Sequence, residues 1–262
     1  MSKKRSKISN LHIVKLILRS LLFLAVLVFY ILDRTEVLTY NAILPAVVWI
    51  FFTIEMMFRF FPSKMESMGC QKQFKRNYLP KGENIKPTNQ SWKVTALVTV
   101  VWLALNAIFG ILYYTGIFDR GILILIAILY SVCDIICILF FCPFQTWFMK
   151  NRCCATCRIY NWDFAMMFTP LVFIPSLYTY SLLGFALLIL LRWEITYRRF
   201  PERFSTDTNK CLDCSRCEEK LCSHKTQLQS FLKKNKERFF PLKGGKLAAF
   251  FNEIDKKTGS GT

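Results

Sequence analysis

The chain has 262 residues, 53% of them hydrophobic and 25 of them Phe, and its 35 Lys and Arg against 17 Asp and Glu give a net charge of +18. Its mean hydropathy is +0.32. A disordered polypeptide lacks such apolar content, a small secreted disulfide scaffold is shorter and less apolar, and a soluble nucleic-acid binder does not carry apolar runs of about twenty residues.

Taken in chain order, the apolar runs predict four membrane-crossing helices at residues 11–32, 37–61, 94–114 and 121–141. Each has the roughly 20 residues needed to cross hydrocarbon. The first is interrupted only near its start, by His12, Lys15 and Arg19. It is too long for a signal-peptide core, and no small-residue cleavage site follows it. Short polar links at residues 33–36 and 118–120 join the runs in pairs and hold two basic residues. The other 33 of the 35 lie on the opposite side or, for Arg59, at its edge. The positive-inside rule assigns that side to the cytoplasm, together with both termini, and the cell membrane is the expected location.

Residues 164–191 are apolar but interrupted by Pro170 and Pro175. A single kinked fifth span would export the basic C-terminal region that begins at Arg192. A re-entrant helical hairpin, with protein covering the backbone freed by proline, keeps that region inside. The expected fold is therefore all-α and integral to a membrane, with four transmembrane helices, a hairpin and a cytoplasmic Cys-rich metal-binding segment. The organisation expected is a transmembrane region at 1–149 with a basic loop at 62–93. A Cys-rich loop and the hairpin follow at 150–191, then a Cys-rich segment with a basic amphipathic tail at 192–257. Residues 258–262 resemble a cloning scar. The tail pairs Lys233, Lys234, Lys236 and Arg238 with Phe231, Leu232, Phe239 and Phe240, a pattern suited to an anionic lipid surface rather than to nucleic acid.

Eleven cysteines are grouped along the chain. Cys211, Cys214, Cys217 and Cys222 fall within 12 residues of charged sequence. A reducing cytoplasm disfavours disulfides there, and close thiolates can wrap one metal centre. The Cys-x2-Cys-x2-Cys run has the spacing that bacterial ferredoxins use for a [4Fe–4S] cluster, whereas zinc more often takes two knuckles separated by a longer loop. His224 is a candidate substitute ligand. Cys153, Cys154 and Cys157 form a second group, which Cys142, followed by Pro143, would complete to four. Cys133 and Cys137, four residues apart on the fourth span, read as small apolar residues or, alternatively, as a redox pair.

The segment Phe141-Cys142-Pro143-Phe144 at the end of a span resembles the Cys-Pro motif of membrane-bound polyferredoxins of the quinol-dehydrogenase accessory type. The likeness covers Cys133 to Cys222. It departs from the family in placing four residues between Cys137 and Cys142, in having Ser223 rather than Pro after Cys222, and in lacking a second Cys-Pro motif. What the resemblance implies is cytoplasmic clusters that pass electrons at a membrane surface.

Ionisable residues inside spans are costly and normally face protein. Glu55 and Arg59 are four residues apart and are expected to pair along one helix. Glu55 and Asp134, joined by Asn106, are candidates for a proton relay or polar pocket. Asn161 and Asp163 are expected to cap the first helix of the hairpin, Asp163 also being a candidate to line a pocket beneath a cluster. No dinucleotide fingerprint, phosphate-binding loop or haem-attachment motif is present, and His12 and His224 are the two histidines.

Two functions follow from these residues. In one, a pair of [4Fe–4S] clusters relays electrons from an acidic cytoplasmic donor to a quinone or a partner membrane subunit. The clusters are held by Cys142, Cys153, Cys154 and Cys157 and by Cys211, Cys214, Cys217 and Cys222, and the hairpin and fourth helix form an apolar pocket. In the other, zinc stiffens the cytoplasmic loops of a transporter, scaffold or lipid-modifying enzyme.

Overall fold

The computed structural model describes residues 7–32, 43–61, 68–82, 85–88, 91–149 and 154–213. Their regular structure is helical, with one isolated antiparallel bridge between Pro80 and Asn209. The helices are α1 (Lys7–Leu32), α2 (Ile43–Phe60), α3 (Met68–Gln73), α4 (Trp92–Tyr114), α5 (Arg120–Leu139), α6 (Asp163–Phe168) and α7 (Leu177–Arg199).

Four stretches are long and apolar enough to cross a membrane: Asn10–Leu32, Trp92–Tyr114, Arg120–Leu139 and Leu177–Arg199. The last differs from expectation. α7 begins after the second proline of the apolar stretch and continues eight residues past Leu191, because nothing before Pro201 interrupts it. α2 is described over 18 residues.

The exposure pattern is that of a chain solvated by lipid. On α1, Leu18 and Leu21 are 50% and 57% exposed while Arg19 between them is 2% exposed. Apolar groups face outward and ionic groups inward, because hydrocarbon solvates leucine and does not solvate a guanidinium. Packing inside the bundle then rests on close contact between helices. Its core joins Phe52 and Met56 of α2, Leu123 and Ala127 of α5, Phe164 and Phe168 of α6 and Ala186 and Ile189 of α7.

Local signals explain the turn between α4 and α5. Gly116 takes φ of 77°, the left-handed conformation that closes a helix, and the Ile117 and Phe118 N–H groups return to Leu112 O. Asp119 then caps α5 by accepting from the Ile122 N–H at 2.9 Å and also accepts the Tyr30 hydroxyl at 2.8 Å.

Cross-helix pairs fix the directions. α1 runs antiparallel to α5, with Arg19 at Asp134 and Tyr30 at Asp119. α2 runs parallel to α7: Trp49 Nε1 donates to Ser181 Oγ at 2.7 Å, and Arg192 donates to Phe60 O. Between α5 and α7, the chain climbs through 3-10 turns at Arg158–Trp162, α6 and a 3-10 stretch at Thr169–Phe173. This limb runs parallel to α4, from Trp102 at Thr169 to Gly110 and Tyr114 at Phe173. It turns over at Ile174–Ser176, and α7 returns so that Glu194 meets Arg158 at 2.7 Å and Trp162 at 2.9 Å. The start of the limb and the end of α7 therefore lie together, on the end of the bundle that carries the C-termini of α2 and α5.

The expected basic loop carries structure of its own. α3 and a 3-10 turn at Lys75–Asn77 lie within it and pack against later parts of the chain.

Candidate functional site

Polar side chains from five parts of the chain converge inside the bundle. His12, Lys15 and Arg19 fall on one face of α1 by their spacing of three and four residues. Lys15 Nζ lies 3.1 Å from Glu55 Oε1, and Arg19 Nη2 lies 2.5 Å from Glu55 Oε2. Arg19 Nη1 also donates to Asp134 Oδ2 at 3.2 Å and to Ser131 O at 2.7 Å, and its guanidinium stacks on the Phe52 ring at 5.6 Å. One buried arginine thus ties α1 to α2 and α5.

A second arginine binds the limb. Arg59 donates to Asp163 Oδ2 at 2.6 Å and to Asn161 Oδ1 at 3.2 Å, with the rings of Tyr160 and Phe164 beside it. Asn161 Nδ2 donates to Gln73 Oε1 at 2.8 Å, and Gln73 Nε2 donates to Ala155 O at 2.5 Å. Three cations, Lys15, Arg19 and Arg59, face three carboxylates, Glu55, Asp134 and Asp163. The carboxylates singled out in the sequence are each held by an arginine.

Two local expectations are corrected. Glu55 reaches to α1, and Arg59 to the limb. Pairs between elements replace the expected pairing along one helix, because each element brings an opposite charge into the shared interior. Asn161 and Asp163 both serve Arg59; Asp163 also accepts the Phe164 N–H at 3.0 Å in the first turn of α6, while Trp162, the residue preceding α6, makes no side-chain capping bond. Asn106 is buried on α4, its Nδ2 donating to Trp102 O at 2.9 Å, while its Oδ1 has no partner among the described residues. His12 is buried beside this network, and its Nδ1 also has no partner among the described residues.

The described thiols are distributed as follows. Cys133 is exposed and Cys137 half-buried, both on α5. Cys142 Sγ accepts the Gln145 N–H at 3.4 Å. Cys157 is 4% exposed and packs with Val98 and Ile159 against Phe144 and Phe148, the residues that follow Cys142. Cys211 Sγ donates to Asn77 O at 2.9 Å. Cys153, Cys214, Cys217, Cys222 and His224 lie outside the described residues, as do the side chains of Cys154 and Cys70 and the whole amphipathic tail. Among the described residues, no three of His, Cys, Asp and Glu gather as a metal site.

The two cysteine-bearing loops nevertheless meet one short segment. Gln73 bonds Ala155, two residues before Cys157, and its neighbour Lys72 accepts at its carbonyl from Asn209 Nδ2 at 3.3 Å, two residues before Cys211. The same segment continues to the bridge at Pro80, where the Lys210 N–H donates to Leu79 O at 2.8 Å, and to the Lys81–Asp213 pair at 2.5 Å.

An apolar cavity of about 110 Å³ lies among α1, α2, α5, the limb and α7. Its lining includes Ala127, Ile128, Phe168 and Leu182. It extends from Phe52 toward Tyr30, Gly121 and Ile174, away from the end that holds Cys142, Cys157 and Cys211. Phe52 separates it from Arg19.

No family model matches the sequence, and comparisons with curated proteins and with solved structures find no match.

Proposed function

We propose that the protein carries metal–thiolate centres at the cytoplasmic end of a membrane bundle and relays electrons there between a soluble donor and a membrane-bound acceptor. The observation that carries this reading is the docking of both cysteine-bearing loops on residues 72–81, through Gln73 to Ala155 and Lys72 to Asn209. Two sets of ligands gathered on one face would meet the first requirement of a relay. Cys142, Cys153, Cys154 and Cys157 would hold one iron–sulfur cluster, and Cys211, Cys214, Cys217 and Cys222 the other.

The topology that supports this reading has residues 158–176 rising into the membrane and α7 returning, so that Arg158 and Glu194 share the cytoplasmic end. The excess of positive charge on that side is the reason to place it inside. It would also attract an acidic donor such as a ferredoxin or flavodoxin.

The position of the apolar cavity bears on the acceptor. A quinone headgroup seated beside Tyr30 and Gly121 would stand at the far end from the thiols, beyond Phe52 and the Arg19 network. We therefore place the acceptor at the cytoplasmic end, as a partner membrane subunit.

The test is anaerobic purification with metal analysis. A brown protein with absorbance near 400 nm and about eight irons per chain is expected for two [4Fe–4S] clusters. A colourless protein with stoichiometric zinc would overturn the relay and leave a zinc-stiffened platform in its place.

A further inference from the structure

A second cavity, of about 530 Å³, opens at the same end of the bundle, between the segment after α3 and the end of α7. Its charged lining is Lys75, Arg76, Arg192 and Arg203, with Gln73, Thr196 and Trp193 as the polar remainder. The lining contains four cations and no carboxylate. Lys75, Arg76 and Arg192 are exposed, whereas Arg203 is 8% exposed.

None of these cations makes a direct ion pair among the described residues; Glu202 is the one carboxylate that acts on Arg203, from outside the lining. Arg203 stacks on Phe200 at 4.2 Å and makes no ion pair, even with adjacent Glu202. Arg192 is spent on Phe60, through its backbone carbonyl and its ring. A cluster of cations with no carboxylate in its lining is self-repelling unless a ligand supplies negative charge. Trp193 closes the inner wall, its ring wedged between Phe74 and Phe204. Four cations around one cavity with no carboxylate describe the complement of an anion with several acceptor oxygens.

We propose that this cavity binds a phosphate monoester or diphosphate group. Arg203 forms its floor, and Lys75, Arg76 and Arg192 form its rim. Arginine matches phosphate geometry through paired N–H donors, and three of the four cations are arginines. The site lies at the level where α2 and α7 leave the apolar region, which suits the headgroup of an anionic lipid as well as a soluble phosphate compound. The proposal does not depend on the metal content of the cysteine loops.

The test uses the full-length protein in phosphatidylcholine nanodiscs, with phosphatidic acid as the lipid probe and inorganic pyrophosphate as the soluble one. Binding is read by native mass spectrometry and by calorimetry. Arg76→Gln and Lys75→Gln, both at exposed rim positions, are each expected to weaken binding about tenfold, the scale of one charge-assisted hydrogen bond. Arg120→Gln, at the opposite end of the bundle, is expected to leave binding unchanged. Retention of phosphatidic acid alone assigns the site to lipid, and saturable pyrophosphate binding assigns it to a soluble ligand. Absence of both, or equal weakening by Arg120→Gln and Arg76→Gln, overturns the proposal.

Discussion

Arg19 and Glu55 meet at 2.5 Å in the interior, joining α1 to α2 in a region where lipid offers neither a partner. The same guanidinium holds Asp134 of α5, and Lys15 takes the other oxygen of Glu55. Removing one member of such a group strands the rest, and the stranded charge costs more than the lost bond. Glu55→Ala is expected to destabilise the protein by about 3 kcal/mol, measured by unfolding in mixed micelles. Glu55→Gln, which keeps an acceptor, should cost less. Adding Lys15→Met to Glu55→Ala should recover part of the loss by removing a surplus cation. A Glu55→Ala protein as stable as the parent would mean that the network does not hold α1.

Gly110 of α4 faces Phe173 at the top of the limb. A Cβ built there would stand 2.4 Å from the Phe173 ring, so helix and limb approach through the absence of a side chain. Gly110→Ala is expected to cost about 1–3 kcal/mol through overpacking. Phe173→Leu in the same chain should restore much of the stability by vacating that space. A thermal unfolding series on the two single variants and the pair tests this, and additive losses would argue against the contact.

Much of this architecture can be read from residue patterns, because a crossing helix declares itself by length and apolarity. The spans containing Leu18, Val100 and Ile124 and the Gly116–Asp119 turn are of this kind. The limb is not. Residues 158–173 combine 3-10 turns with one short helix, and their path is set by Asn161 and Asp163 gripping Arg59 and by Phe173 filling the gap at Gly110, contacts distant in sequence. The inward stripe of His12, Lys15 and Arg19 is visible as spacing, but its partners become evident only once α2 and α5 are placed against α1. Lys75, Arg76, Arg192 and Arg203 read as solvated charge along the chain. They form a pocket because Phe74, after α3, packs on Trp193 and brings the basic loop to the end of α7.

If each cysteine group holds its own cluster, then damage to one leaves the other. Cys214→Ser removes a ligand from the C-terminal group alone and is expected to halve the iron per chain and the absorbance near 400 nm. Cys157→Ser should produce a similar loss from the other group, with an added cost in stability because Cys157 is packed among Val98, Ile159 and Phe144. Complete loss of iron from the Cys214→Ser protein would point to a single shared centre.

The closeness of Arg158 and Glu194 makes a topological prediction. Their side chains meet at 2.7 Å, so the limb and α7 must begin and end on the same side, with the turn at Ile174–Ser176 near the ends of α1 and α4 marked by Tyr30 and Tyr114. A reporter active only in the cytoplasm should therefore signal when fused after Lys150 and again when fused after Arg203. One fused after Gly116, in the turn between α4 and α5, should be silent. Impermeant thiol reagents applied from outside should leave Cys211 unmodified in intact cells and label it after permeabilisation with a chelator and oxidant that strip bound metal. Opposite signals from the fusions after Lys150 and Arg203 would require a membrane between Arg158 and Glu194, which a direct ion pair does not permit.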